Sequence, residues 1–310
     1  MKPASIISMI VAVLLIIAGL VTCLIARNMA EAEGQQLFAE NRDYGLVNTL
    51  DLSETSVSKL ELNVQDADIH IYGNQESSYI ELVNFRENYY SCNTSNRVVT
   101  FDEIPDVTSM LKFWENGVSF TGIRYLLSFG EEEPAGDKVI NIYLGGENID
   151  LKIIAITGGL CNVYLEDLSY GADYTITLED GSLHCTNVRT SSALTVGGSK
   201  AVLDLQTSSF NTCTFECTDL TIETFRTFMP MTAIRCETID ADLTPSQTVA
   251  SLNYNVALES GSVTVNGNNL GTGFVQNASS NNRFELTAAS GTVILNDPPA
   301  QTNITSPADK

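Results

Sequence analysis

The feature that most limits what this chain can fold into is a degenerate strand–glycine–strand repeat. Leu258-Glu-Ser-Gly-Ser-Val-Thr-Val265 and Leu286-Thr-Ala-Ala-Ser-Gly-Thr-Val-Ile-Leu295 each set apolar residues at every second position after a glycine. That is the pattern of a strand with one buried face that follows a tight corner. Leu178-Glu-Asp-Gly-Ser-Leu-His-Cys185 has the same shape, and so, with two glycines, does Ile156-Thr-Gly-Gly-Leu-Cys-Asn-Val163. From residue 138 onward the pattern predicts short strands at 139–144, 151–156, 161–165, 174–178, 183–188, 193–196 and 201–205. Further ones follow at 212–217, 220–225, 232–236, 238–243, 252–258, 262–265, 283–286 and 292–295, with almost no helical periodicity between them. The corner glycines Gly159, Gly181, Gly198, Gly261 and Gly291 are irregularly spaced. Stacked repeats tolerate this, because each needs only to continue the inward apolar row of its neighbour.

The expected fold is therefore all-β, a single-stranded β-solenoid or β-roll of right-handed type. Its degenerate rungs hold about 20 residues each, in two short strands and two turns. A β-sandwich is the alternative, since it also yields many short strands. The recurring corner glycine followed by Val-x-Val or Val-x-Leu favours stacking.

Residues 6–25 form 20 consecutive positions without a charge, enough to cross about 30 Å of hydrocarbon as a helix. Only five residues precede this run, which favours a cytoplasmic N-terminus, although the positive bias from Lys2 against Arg27 is slight. The chain is thus expected to consist of a transmembrane signal-anchor helix at 1–26, a juxtamembrane stalk at 27–56, a β-solenoid domain at 57–297 and a disordered tail at 298–310. A cleaved signal peptide is the alternative, because Asn28-Met-Ala30 weakly imitates a cleavage site. The apolar run, however, exceeds the roughly 7 to 15 residues of a signal core. Leu20-Val-Thr-Cys23 faintly resembles a lipoprotein acylation site, but Thr22 and the continuing Leu24-Ile25 speak against it.

Charge narrows the partners. The chain has 16 basic and 38 acidic residues, and residues 31–310 hold 14 and 38 of them, a net −24. Such a surface repels nucleic acid and anionic headgroups and attracts cations and basic peptides at long range. Candidate catalytic carboxylate pairs are Asp66/Asp68, Glu166/Asp167 and Glu179/Asp180. Adjacent strand residues point to opposite faces, so the last two pairs converge only in a turn, and Glu179 and Asp180 beside Gly181 read as turn formers. No enzyme activity is expected. With no Cys-x-x-Cys pair and only His70 and His184, no metal cluster or cofactor is expected either; calcium in the acidic turns is the alternative. His70 stands between Ile69 and Ile71 and reads as an exposed strand residue rather than a ligand.

Six of the seven cysteines lie beyond the apolar run. Cys213 and Cys217 on one strand would sit about 13 Å apart, too far to bridge. Cys161 and Cys185 are out of phase when their glycines are aligned. Most of these cysteines therefore read as small buried hydrophobes, and the disulfide state stays open. Strands at 57–64, 66–73 and 79–85 should form the first, capping rung or a sheet edge. An insertion at 84–137 then breaks the rhythm with Phe85, Tyr89, Tyr90, Phe101, Phe113, Trp114, Phe120, Tyr125 and Phe129. It holds a short helix from Asp106 to about Trp114. Its aromatic residues suit either the core of an inserted hairpin pair or a recognition surface.

Leu60-Glu-Leu-Asn-Val-Gln-Asp-Ala-Asp-Ile-His-Ile71, Val139-Ile-Asn-Ile-Tyr-Leu144 and Leu286-Thr-Ala-Ala-Ser-Gly-Thr-Val-Ile-Leu295 together resemble the bacterial "putative adhesin" family, a domain family of unknown function with a β-solenoid fold. The resemblance covers about residues 57–295. It implies a repetitive β domain at the bacterial envelope, often behind one membrane helix, and no catalytic residues. The aromatic insertion and the core-facing cysteines depart from the family pattern. The implied function is a membrane-anchored, extracellular, non-catalytic binding or adhesion module for a cell-surface protein or glycan, in a single-pass bacterial membrane protein that binds no nucleic acid. The alternative is an envelope-stress sensor or decoy that captures cationic peptides and works with an envelope-stress partner protein.

Overall fold

The structure, a computed structural model, describes residues 47–85, 90–103, 137–278 and 281–299. The chain divides into two compact units, 1–44 and 45–310, and every described residue belongs to the second. The apolar run at 6–25, the helix expected from Asp106, most of the aromatic insertion and the tail from 300 lie outside the described residues. Among the described residues no helix is long and apolar enough to cross a membrane.

Among the described residues the unit is all-β apart from one short 3-10 turn, Val249–Ser251. Its strands are β1 (Val47–Asp51), β2 (Val57–Gln75), β3 (Tyr79–Val83), β4 (Tyr90–Ser95), β5 (Val98–Glu103), β6 (Val139–Gly145), β7 (Ile149–Glu166), β8 (Asp173–Thr186), β9 (Ala193–Gln206), β10 (Thr212–Thr227), β11 (Met231–Pro245), β12 (Asn253–Val265), β13 (Asn268–Asn269), β14 (Gly273–Gln276) and β15 (Arg283–Leu295). All fifteen belong to one sheet. β1 falls within the stretch expected as stalk; its Leu50 packs against the core while Val47 is exposed, and it leads into the fully buried Leu52.

Segments that the sequence pattern separates into pairs of short strands are single long strands. β8 contains both 174–178 and the start of 183–188, and β2, β7, β9, β10, β11, β12 and β15 join their pairs in the same way. The physical reason is that the corner does not interrupt pairing. Between β7 and β8, Gly158 faces Leu178 and Leu160 faces Asp180, while Gly159 and Glu179 are skipped. In β8 the residues Tyr174, Ile176 and Leu178 are buried, Glu179 and Asp180 are both exposed, and Leu183 and Cys185 are buried again. A regular strand alternates strictly. The extra residue therefore bends the strand and returns the apolar side chains to the same inner side on both limbs.

Successive strands pair in parallel at a nearly constant interval. Ile154 faces Tyr174 and Tyr174 faces Leu194, each 20 residues on; Leu194 faces Cys213 and Cys213 faces Thr232, each 19 on. A second turn closes each repeat at a residue with left-handed backbone: Asp167 (φ 54°), Asn187 (φ 56°), Thr207 (φ 49°) and Arg226 (φ 52°). The connecting segments also pair, with single parallel bridges from Arg189 to Ser209 and from Ser209 to Phe228.

Both ends of the parallel array are covered, as unpaired edges would otherwise invite association. β5 and β4 cover the first limb of β2, and β6, β3 and β1 extend from its second limb. At the other end the order reverses: β15 inserts between β11 and β12, parallel to both, which leaves β12 outermost under the antiparallel β13 and β14. Asn296 and Asp297 continue the chain in an ordered way. The Asn296 amide donates to Leu243 O at 2.9 Å, and Asp297 Oδ1 accepts from the Val249 amide at 2.6 Å.

Cys161, Cys185, Cys213 and Cys217 are buried, Cys92 and Cys236 partly so, and all six are free thiols. Burial pushes the Cys161 and Cys217 thiols up to about 11. They stay protonated at neutral pH and pack as small hydrophobes.

Candidate functional site

Strand alternation in the second limb sends Ile69 and Ile71 inward and turns His70 and Tyr72 outward. The neighbouring strands do the same in register. His70 stands beside Tyr164 and Tyr164 beside His184, while Tyr72 stands beside Tyr143 and Tyr143 beside Tyr79. Parallel pairing places equivalent side chains about 4.8 Å apart, which suits face-to-face ring contact. The result is a continuous row of six rings. Ring centroids are separated by 4.4 Å from Tyr79 to Tyr143, 5.2 Å from Tyr143 to Tyr72, 5.9 Å from Tyr72 to His70, 4.4 Å from His70 to Tyr164 and 4.8 Å from Tyr164 to His184. All six are half-buried. Their faces cover one another, so the row offers its edges: phenol hydroxyls and imidazole nitrogens.

A chain of polar contacts runs beside the rings. Asp68 Oδ1 accepts from Asn162 Nδ2 at 2.8 Å, and Asn162 Oδ1 accepts from Ser182 Oγ at 2.7 Å. Because Ser182 gives its proton to Asn162, His184 Nε2, 3.0 Å from Ser182 Oγ, is the donor in their contact. His184 Nδ1 lies 3.6 Å from Asp204 Oδ2. Beyond His184 the same outward position is held by Asp204, Glu223 and Asp242 on successive strands, so the row of rings gives way to a row of carboxylates.

Burial and Glu81, whose carboxylate accepts from the Tyr143 hydroxyl at 3.3 Å, push that phenol up to about 12. Burial also raises Tyr72 and Tyr164. These phenols remain donors throughout the physiological range. His70 is different: burial lowers its pKa below the usual imidazole value against the opposing pull of Asp68 and Glu166, and its Nδ1 is buried without a hydrogen-bond partner. A folded-state pKa below the unfolded value means that protonation favours unfolding. Stability tied to His70 is full above about pH 6.5 and declines as pH falls from there towards the lower folded-state pKa. The urea midpoint of the wild-type protein should therefore drop between about pH 7 and pH 5 by more than that of His70→Phe. Parallel pH profiles for the two would contradict this assignment.

The carboxylate pairs singled out by sequence are not brought together as catalytic dyads. Asp68 is taken up by Asn162, Asp167 occupies the left-handed turn with its Oδ1 accepting from Asn187 Nδ2 at 2.6 Å, and Asp180 faces Lys200 across strands at 3.6 Å. Asp66, Glu179 and Asp180 are exposed around the bend. Among the described residues no group of three His, Cys, Asp or Glu side chains is placed to hold a metal ion. Of the aromatic insertion, the described Phe85, Tyr90 and Phe101 pack on one another at 5.3 to 5.9 Å, with Phe85 and Phe101 in the core. Sequence reasoning missed the ring row. Its signal was the 20-residue interval from Tyr164 to His184, which gains meaning only once the register is known.

Neither a protein-family model nor a curated protein matches the chain. Solved structures of bacterial proteins bearing the adhesin name do. The chain is similar to a putative cell adhesion protein from Clostridium sporogenes, with 12% identity over 82% of this chain and 99% of that one at a TM-score of 0.37. It is also similar to putative adhesins from Bacteroides fragilis (12% identity, 81% and 97% covered, TM-score 0.32) and Parabacteroides merdae (12% identity, 82% and 97% covered, TM-score 0.32). At these TM-scores the likeness carries no argument about the site, and the functional reading rests on the residues themselves.

Proposed function

We propose that this protein is a non-catalytic binding module of the bacterial cell envelope, anchored by residues 1–26, with its β domain wound as an extracellular β-solenoid that holds a surface glycan or protein along the ring row. The observation that carries the reading is the row itself: two register-matched sets of three rings, joined along β2 by the His70–Tyr72 contact, half-exposed on an outer face, with hydroxyl and imidazole edges beside the Asp68–Asn162–Ser182 chain. Tyrosine suits recognition because it offers a rigid apolar body and a polar tip at low entropic cost.

The test uses the full chain in detergent and the double variant Tyr143→Ala/Tyr164→Ala. Retention on a mucin-type glycan surface and on isolated bacterial envelope should fall about tenfold. Each lost ring contact should also cost about 0.5–1.5 kcal/mol of stability, so retention is compared at a temperature where both proteins are folded. A row that only braces the sheet would lower the melting temperature and leave retention unchanged, and that outcome contradicts the proposal.

A second reading, capture of cationic peptides, is favoured by the carboxylate row of Asp204, Glu223 and Asp242 that continues the rings. Such capture is long-range and falls steeply with salt.

A further inference from the structure

We infer that Arg189 is the centre of a second binding site, a shallow groove on the connecting side of the repeats that takes the carboxylate of an acidic sugar. The first observation is electrostatic. Seven of the nine described Lys and Arg residues lie within 4 Å of a carboxylate: Lys59, Arg97, Lys138, Lys152, Lys200, Arg235 and Arg283. Arg226 lies 5.3 Å from the Phe225 ring centroid and donates to Pro299 O. The Arg189 guanidinium alone has no hydrogen-bond or ion-pair partner among the described residues, in a chain of net charge −22.

The second observation is geometric. Arg189 sits on a regular backbone bridge: its amide donates to Leu168 O at 2.7 Å, and it pairs with Ser209, which pairs with Phe228. Its side chain is therefore presented from a fixed Cα. It borders a groove of about 490 Å³ whose lining includes Ser169, Tyr170, Ser191, Ser209, Asn211 and Phe228 and no carboxylate. That volume is ample for a sugar ring. An adjoining groove of about 310 Å³, which shares Ser169, Tyr170 and Arg189 with the first, is also lined by Asn74, Asp167 and Asn187.

The ligand class follows from the chemistry. A guanidinium presents a planar fork that fits a carboxylate through two parallel hydrogen bonds. Serine hydroxyls and side-chain amides match sugar hydroxyls, and an aromatic edge suits the apolar C–H side of a pyranose. A single cation against so negative a protein favours a singly charged carboxylate over a doubly charged phosphate. Asp167 lines the adjoining groove with Arg189, and its Oδ1 is engaged by Asn187, so its part is to accept from a neutral sugar hydroxyl.

The test titrates the full chain in detergent with 3′-sialyllactose, methyl galacturonoside (the singly charged unit of a polyuronate) and, as neutral control, lactose, by ligand-detected NMR and calorimetry. At least one acidic saccharide should bind, more tightly than lactose, and which one does tells a sialylated glycan from a polyuronate. Arg189→Gln should weaken that binding by about tenfold or more, and Arg189→Lys should weaken it severalfold because the charge remains and the fork is lost. The melting temperature should hold, since Arg189 is exposed. Tyr143→Ala/Tyr164→Ala should leave this binding unchanged, so this site and the ring row stand or fall separately. No binding of either acid at about 10 mM, a range weaker than most functional contacts, would overturn the inference. So would equal binding by Arg189→Gln, or lactose binding as tightly as the acids.

Discussion

Replacing Gly198 by alanine should remove about 4 kcal/mol or more of stability, a large part of the 5–15 kcal/mol typical of a folded domain. Gly198 has φ +141°, and a Cβ there would sit 1.7 Å from the carbonyl oxygen of Leu178, its partner on β8. Two costs add: about 1–3 kcal/mol for a side chain held at such a backbone angle, and a contact with backbone that yields only if β8 and β9 separate. The same close approach recurs at Gly291, where a Cβ would lie 1.9 Å from Ile239 O. Gly267 provides the control. It has φ +79°, and a methyl group there would meet nothing within 4 Å, so Gly267→Ala should cost only about 1–2 kcal/mol from the left-handed backbone. Urea unfolding followed by circular dichroism separates the two. Equal losses would mean that the corner glycines serve backbone conformation and not the close stacking of repeats.

Glu103→Ala is the second large effect, expected at about 2–4 kcal/mol, because two backbone amides lose a buried charged acceptor. The reason lies in a gap at the covered end of the array. β5 pairs with β2 as far as Asn63, and β6 takes over only at Asp68. The bend between them leaves the amides of Gln65 and Asp66 without a strand to donate to. Glu103, at the end of β5, supplies the acceptor: its Oε2 receives the Gln65 amide at 2.7 Å and the Asp66 amide at 3.3 Å, while Oε1 receives Lys138 Nζ at 2.8 Å. Its side chain is 4% exposed. Alanine leaves two amides unmet at once, each costly, while Lys138, 35% exposed, turns to water. Glu103→Gln keeps an acceptor for the amides and should lose distinctly less. A loss below about 1 kcal/mol for alanine would show that water replaces the carboxylate and that the gap is wet.

The corner glycines and the alternating apolar residues are local signals, and they led to the bent strands correctly in place if not in length. Pairing across the bend made single strands of what looked like two, because the skipped residue breaks the alternation without breaking the ladder. The second turn was legible in spacing and missed in kind. Asp167, Asn187, Thr207 and Arg226 recur at intervals of 20, 20 and 19 residues, but glycine was taken as the mark of a turn. Aspartate and asparagine accept the left-handed region readily; threonine and arginine are held there by the stack around them. The Asn96-Arg97 hairpin turn between β4 and β5, with φ of 51° and 65°, was hidden for the same reason, since a two-residue turn of this hand usually announces itself with a glycine.

The position of β15 between β11 and β12 had no local signal. Its inward row of Phe284, Leu286 and Val293 suits either neighbour, so only the whole assembly decides the order. The ring row was invisible for a related reason. His70 and Tyr72 stand outward together on one strand as alternation requires, but Tyr164 and His184, and Tyr143 and Tyr79, join them only through register, and register depends on the turns.

The most direct measurement of the central claim is retention of the full chain on the mucin-type glycan and envelope surfaces at about 10 mM and about 150 mM salt, where the screening length falls from about 30 to about 8 Å. A shaped row of rings predicts that retention survives the higher salt. Retention that appears only at low salt would contradict a shaped face and assign the binding to charge alone.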